Sequence, residues 1–295
     1  MALDIFIPYW GDPDYMKQTV RSVLEQDSDD WLLTVVDDAY PDHEIQRYMA
    51  GIEDPRVKYI RKEQNAGITE NYKTCVALAT EEVMVILGCD DVLLPNYVRV
   101  INAAHQRFPE AAIIQPGVRV IDGDGTAVRT LVDITKQHLV RPRTQGPRLL
   151  SGESLAVNLM HGDWLYWPSL AFRTDKIRAV EFRSGFPIIQ DLALVMDMVY
   201  RGDQLLLEPT VCFAYRRHSE SASSTKLVDG SRFAGEREYF EVSAEQARLN
   251  GWTKASRAAN LRLTSRAHAL ALLPKALGSR NFPAAKVLLS HTFGN

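Results

Sequence analysis

Residues 3–24, LDIFIPYWGDPDYMKQTVRSVL, carry the pattern that decides the fold. Residues 3–8 are an apolar run of strand length; Asp12-Pro13-Asp14 then punctuates the chain, and Met16, Val20, Val23 and Leu24 recur at helical spacing. The unit is a strand followed by a helix, and it repeats outward from there. Residues 32–36 form a second strand signature ending in Asp37-Asp38, and residues 57–60 a third, followed by an Asn65-Ala66-Gly67 turn and a helix through Ala79. Residues 83–87 make the fourth, closing on Gly88-Cys89-Asp90-Asp91, with Pro95 near the first turn of a helix that reaches about Phe108. Such alternation predicts an α/β fold with a mostly parallel sheet, helices on both faces and ligands beyond the carboxyl ends of the strands.

Later segments are less regular. Residues 112–120 read as extended, Asp122-Gly123-Asp124-Gly125 as a hairpin turn and residues 130–150 as a loop rich in Arg and Pro. A helix from Ser151, an aromatic-rich strand over residues 164–172, a helix after Asp191 and a strand at 211–215 follow. From about Ser231 the pattern is helical, so the chain divides into an α/β domain over 1–230 and a helical C-terminal region over 231–295.

The 295 residues include 34 basic and 37 acidic side chains, a net charge of −3, with 46% hydrophobic and 24% charged residues. That is enough apolar material for one large core or two smaller ones, and it excludes global disorder, collagen and a disulfide scaffold. Cys75, Cys89 and Cys212 lie far apart with no C-x-x-C pairing, which argues against a zinc ribbon and fits a reducing, cytoplasmic setting. The apolar runs at 83–87 and 205–207 fall far short of a membrane span, and residues 1–8 offer no basic lead-in to a targeting segment.

Charge is unevenly spread, however. Residues 251–295 hold Lys254, Arg257, Arg262, Arg266, Lys275, Arg280 and Lys286 without one Asp or Glu, so the preceding 250 residues carry −10. Leu261, Leu270, Leu272, Leu273 and Leu277 sit among these cations as in a basic amphipathic helix. Two readings stay open: a helical cap docked on the acidic domain, or a peripheral contact with the inner face of a membrane or with an anionic acceptor. Nucleic acid is not an expected partner, since the chain is mildly acidic and has no recognisable binding module. A homo-oligomer is compatible with the sequence.

Neither G-x-G-x-x-G nor G-x-x-x-x-G-K-[ST] occurs, so phosphates must be held another way. Asp37-Asp38 reads as a turn pair or as acceptors for a base and ribose. Asp90-Asp91 reads as a helix cap or as ligands for Mg²⁺ or Mn²⁺ bridging to a diphosphate.

Six segments in order, IFIPYWGDPDYMKQTVRSVLEQ, VVDDAYPD, NAGITENYKTCVALAT, LGCDDVLLP, IIQDLALVMDMVYRG and YRRHSESAS, resemble the inverting nucleotide-sugar glycosyltransferases of family 2, which have the GT-A fold. The resemblance covers about residues 3–225. Gly88 stands where the family's L-D-x-D-D has its first carboxylate, and Gln190 replaces the Glu of its Glu-Asp dipeptide. The resemblance implies a nucleotide-sugar-binding half over about 1–110 and an acceptor-binding half over about 111–230. Pro8, Tyr9, Asp37, Asp38, Asn65, Gly67 and Lys73 are then expected around the nucleotide, Asp90 and His218 on the Mn²⁺ or Mg²⁺ ion, and Asp91 and Gln190 near the donor or acceptor sugar. Arg216 and Arg217 either offset diphosphate charge or form an exposed solvated pair.

Asp191, opening a helix, is expected to be the general base that takes the proton of an acceptor hydroxyl, a role compatible with capping that helix. Trp164, Tyr166 and Trp167 are read as an acceptor wall, because aromatic faces stack on the CH faces of sugars; the competing reading places them in the core. The implied activity is transfer of a sugar from a UDP- or dTDP-linked donor to a carbohydrate or glycan-precursor hydroxyl. A non-catalytic nucleotide-sugar or carbohydrate-binding protein on the same scaffold is the alternative. A nucleotidyltransferase lacks support, since residues 8–12 show no glycine-rich, Lys/Arg-containing loop.

Overall fold

The computed structural model describes residues 1–129, 133, 140–183, 185, 186, 189–217 and 231–294. In β1 (Leu3–Tyr9) Leu3, Ile5, Ile7 and Tyr9 enter one core and Phe6 another, so the strand is buried on both faces and reads as a continuous apolar run. α1 (Pro13–Leu24) follows because Asp12 caps it, its carboxylate accepting from Asp14 N at 2.7 Å and Tyr15 N at 3.1 Å, while Pro13 needs no donor partner in the first turn. The helix buries Met16, Val20 and Val23 against the sheet, each contributing about 1.5–3 kcal/mol of transfer energy. β2 (Trp31–Asp37), α2 (Glu44–Ala50), β3 (Val57–Arg61), α3 (Ile68–Leu78) and β4 (Val83–Ile86) complete the alternation.

β1 pairs with β2 and β4 in parallel, and β3 pairs with β2 in parallel. Beyond β4 the sheet continues through β8 (Ala171–Arg173), β6 (Ala111–Ile121), β9 (Gln204–Arg216) and β5 (Val92–Leu93), with β7 (Arg148–Leu150) also on β9. β5, β7 and β8 run antiparallel to their neighbours, whereas β6 and β9 are parallel to each other. The carboxyl ends of β1, β2, β4, β6 and β9 therefore share one edge. α4 (Tyr97–Arg107) joins α1 and α2 on one face; α5 (Gly152–His161), α6 (Thr174–Ile177), α7 (Gln190–Tyr200), α8 (Ser231–Leu249) and α9 (Thr253–Leu261) join α3 on the other. α10 (Leu263–Gly278) and α11 (Phe282–Phe293) pack with α8 around Phe233, Ala269 and Leu288. The fold is thus the mixed, mostly parallel α/β sheet with flanking helices and a helical C-terminal region.

Several local expectations need correction. Residues 164–172 do not form one strand: a 3₁₀ turn occupies Trp167–Ser169, and only Ala171–Arg173 enters the sheet. Pro168 cannot donate to a ladder, and Tyr166 N donates instead to Gln115 Oε1 at 3.0 Å. The strand expected at 211–215 is only the end of β9, which passes Pro209 through register irregularities opposite Gln115 and Gly117. Arg148–Leu150, read as loop, is β7. The helix near Pro95 begins at Tyr97, after Asn96, and Val92–Leu93 intervenes between it and Asp90-Asp91, which therefore do not cap it.

Candidate active site

At the carboxyl end of β2 both carboxylates are buried and already engaged. Asp37 is 1% exposed; its Oδ1 accepts from Tyr40 N at 2.8 Å, and its Oδ2 accepts from Arg61 Nη1 at 2.7 Å and from the Tyr59 hydroxyl. Burial and this carboxylate push the Tyr59 phenol up to about 12. Asp38, 2% exposed, pairs with Lys62 Nζ at 3.0 Å through Oδ1 and accepts Gly67 N at 2.8 Å on Oδ2, with Ala66 N at 3.2 Å on Oδ1. Asn65 Oδ1 also accepts from Gly67 N, at 3.0 Å. Gly67, with φ of 86° and ψ of 162°, enters α3 through a backbone conformation that side-chain-bearing residues rarely adopt. The 65–67 turn is therefore clamped onto the end of β2. Lys73 pairs with Glu70 at 2.7 Å on the exposed side of α3, rather than with either Asp.

Next to it, Tyr9 at the end of β1 is 1% exposed, its ring centroid 5.0 Å from that of Tyr40. Its hydroxyl is buried and makes no hydrogen bond, and burial raises its pKa. Trp10, 49% exposed, sets its edge on Tyr40 with centroids 5.4 Å apart. An accessible indole, a tyrosine pair and an unsatisfied hydroxyl thus lie beside the Asp37-Asp38 corner. Tyr40 carries no motif signal and sequence reasoning missed it.

The end of β4 is tighter still. A Cβ on Gly88 would lie 2.6 Å from Asp91 Oδ2 and 3.1 Å from Asp90 Oδ1, so both carboxylates converge on the space that this glycine leaves. Asp91 is 1% exposed; Oδ1 accepts from Arg216 N at 2.8 Å and Oδ2 has no hydrogen-bond partner. Burial, then the adjacent Asp90 charge, hold the Asp91 carboxyl well above the usual carboxylate range, with Arg216 opposing. Cys89 lies beside them, its thiol pushed up to about 12 by burial and by Asp90.

Arg216 is not a solvated cation. It is 2% exposed, its guanidinium over the Tyr15 ring at 4.6 Å, and it donates to Asp90 O at 2.6 Å, Gly123 O at 2.8 Å and Gln18 Oε1 at 2.8 Å. Arg217 forms a bidentate pair with Asp133, both bonds 2.7 Å, and Tyr166 Oη donates to the same carboxylate at 3.0 Å. Each arginine is committed to structure, a role invisible in the dipeptide alone.

α7 brings its N-terminus to this edge: Thr69 Oγ1, one residue into α3, donates to Gln190 Oε1 at 2.6 Å. Asp191 follows in the first helical turn, its Oδ1 accepting from Leu192 N at 2.8 Å, where a carboxylate is favoured by the helix dipole. The Tyr72 phenol is raised by burial, then by the Asp191 charge, and more weakly by Cys89. The first turn of α7, with Asp191, is thus tied to the start of α3. Trp164, Tyr166 and Trp167 are 1%, 6% and 8% exposed, with Trp167 packed on Tyr72, Phe172 and Phe182. They are core residues rather than an open wall, Trp164 and Trp167 on the α3 face of the sheet and Tyr166 on the α1 face. His218 lies outside the described residues. Among the described residues no group of three or more His, Cys, Asp or Glu side chains is arranged around a metal position.

The model for glycosyl transferase family 2 matches residues 4–158. WcaA of Escherichia coli (strain K12), whose name assigns it provisionally to glycosyl transfer in colanic acid biosynthesis, is 28% identical over 123 residues; the alignment covers 41% of this chain and 44% of WcaA. The uncharacterized protein MT1568 of Mycobacterium tuberculosis (strain CDC 1551 / Oshkosh) is 23% identical over 239 residues, covering 77% of this chain and 70% of that one. Residues 1–349 of S. aureus TarS, solved with UDP-GlcNAc, superpose with a TM-score of 0.64 at 14% identity, over 100% of this chain and 93% of that one. At that identity the likeness concerns the fold.

Proposed function

Since the chain belongs to glycosyl transferase family 2, we propose that it is an inverting enzyme moving a sugar from a UDP- or dTDP-linked donor to a hydroxyl of a carbohydrate or glycan precursor. One observation supports this reading: at the carboxyl edge of the sheet Asp90 and Asp91 converge beside Gly88, and the N-terminus of α7, which carries Asp191, is tied through Gln190 to Thr69 of α3. That TarS was solved both with UDP-GlcNAc and with UDP supports a nucleotide-sugar donor.

In this proposal residues 1–110 hold the donor and residues 111–230 the acceptor. The base and ribose lie against Pro8 and the exposed face of Trp10, which the Tyr40 ring and behind it the buried Tyr9 ring support. Asp37 holds Tyr40 in place, while Asp38, Asn65 and Gly67 fix the turn over the nucleotide. The convergence of two carboxylates on Gly88, with the buried Asp91 Oδ2 unpartnered, fits the hard-oxygen preference of Mg²⁺ or Mn²⁺. Asp90 and Asp91 would hold that ion, whose charge would offset that of the departing diphosphate. Asp191 takes the proton from the acceptor hydroxyl as its oxygen attacks the anomeric carbon, and Gln190, fixed by Thr69, borders the same sugar. Trp167 packs on Tyr72, and Trp164 and Tyr166 are core residues, so none of the three offers an open face to a sugar.

The test has two arms. UDP or dTDP with Mn²⁺ is expected to raise the melting temperature of both the wild type and Asp191→Asn, because a ligand of the folded state stabilises it. Transfer by Asp191→Asn is expected to fall by about 10²–10⁴-fold. Wild-type transfer by that variant sinks the base assignment; donor binding with no diphosphate release across a panel of acceptors favours the binding protein instead.

A further inference from the structure

The C-terminal helices present a surface that the transferase reading leaves unused. α10 carries apolar residues on two sides. Its inner side, Ala269, Leu272, Leu273 and Ala276, packs towards Phe233 and Leu288. Its outer side carries Leu263, Leu270 and Leu277, which are 54%, 47% and 48% exposed, with Ala267, Ala271 and Pro274 between them. At about 100° per residue these six positions fall within a sector of roughly 120° that contains no charged residue. On α11 the exposed positions Phe282, Leu289 and Phe293, at 65%, 42% and 70%, recur at i, i+7 and i+11 and share their face with Lys286. A helix apolar on its outer sector as well as on its inner side needs a second covering besides the protein core.

Charge identifies what that covering is. Residues 251–295 supply seven Lys and Arg and no carboxylate side chain, and Lys254, Arg257, Arg280 and Lys286 are exposed. A second copy of the same face would bring like charges together with no acidic partner from this segment, a costly juxtaposition. A layer of anionic lipid headgroups over acyl chains answers both features, cations at headgroup level and leucine and phenylalanine below it. No helix among the described residues is long and apolar enough to cross a membrane, so the contact lies in the interface plane.

We propose that α10 and α11 form a peripheral docking surface for an anionic phospholipid bilayer. This inference is independent of the transferase reading, since its readout is binding to lipid alone.

The experiment is co-sedimentation of the full chain with vesicles of phosphatidylcholine alone or containing one-third phosphatidylglycerol, at low and high salt, with light scattering to record the oligomeric state. The wild type is expected to bind the phosphatidylglycerol vesicles, to release in high salt and to ignore pure phosphatidylcholine. Arg280→Ala with Lys286→Ala is expected to weaken partitioning by roughly 25-fold, about fivefold per cation. Leu270→Glu with Leu277→Glu, both at exposed positions, is expected to abolish binding while leaving the melting temperature unchanged. Absence of wild-type binding, equal binding to both vesicles, or full binding by the leucine variant overturns the proposal. So does a wild-type dimer that the leucine variant converts to monomer, which would assign the face to self-association.

Discussion

Replacing Gly88 with alanine tests whether two carboxylates are held against the space beside its Cα. The new Cβ would stand 2.6 Å from Asp91 Oδ2, whereas ordinary contact begins at 3.4 Å, so the carboxylate must retreat by 0.8 Å. Asp91 Oδ1 accepts from Arg216 N at 2.8 Å; a retreat of that size along the bond stretches it to 3.6 Å, where no hydrogen bond remains. Hydrogen bonds to charged groups contribute about 1.5–3 kcal/mol, and alanine restores about 0.4–1 kcal/mol by narrowing the unfolded ensemble, because Gly88 lies outside the left-handed region. The net expectation is a loss of about 1–2 kcal/mol, read as a lower urea midpoint at unchanged slope. In the same protein the manganese-dependent part of the nucleotide-induced thermal shift is expected to fall, since Asp90 Oδ1 is also crowded, at 3.1 Å. Wild-type stability together with a full manganese-dependent shift would refute the convergence argument, because both carboxylates would then have turned aside without cost.

Two further expectations follow from buried carboxylates. Asp91 sits above its ordinary pKa when folded, so the folded state binds its proton more tightly and stability falls as pH rises through the window between the unfolded and folded values. Asp91→Asn keeps an acceptor for Arg216 N and is expected to flatten that pH dependence in denaturant melts at constant salt, gaining on the wild type towards neutral pH; a parallel pair of curves would count against it. Asp4, 4% exposed at the opposite edge of the sheet, accepts from Thr80 N at 2.6 Å and Glu81 N at 2.7 Å. Asp4→Ala strands both donors and is expected to cost about 2–4 kcal/mol in urea unfolding while sparing nucleotide affinity; a change below 1 kcal/mol would show that water satisfies them.

Continuous apolar runs in β1, β2 and β4 and an alternating one in β3 made the first half of the fold legible. β1 to β4 each place apolar residues against a core, and α1 and α3 follow capping or turn residues that the sequence displays. β5 and β7 escaped because two or three residues carry no period; their strand state comes from neighbours already in place. Residues 164–172 misled because Trp and Tyr favour strands wherever a half-buried surface awaits them, whereas here Gln115 holds the Tyr166 amide and Trp167 packs on Tyr72. At the candidate site the order of the acidic pairs was readable, but their engagement was not. Nothing in Asp37-Asp38 announces that Tyr59, Arg61 and Lys62 already hold them, and nothing in Arg216-Arg217 announces that both cations are internal ties.

Arg216 also bears on any attempt to build hybrids of this scaffold. Its guanidinium joins the Asp90 carbonyl, the turn at Gly123 and Gln18 of α1, so the corner near residue 90 is finished by an arginine that arrives 126 residues later. A splice at about residue 110 that imports a foreign second half would leave that corner open unless the incoming piece also returned an arginine to the same spot. Retaining this chain's own β9 ending and 122–125 turn within the imported second half is the smallest graft that keeps the seam closed.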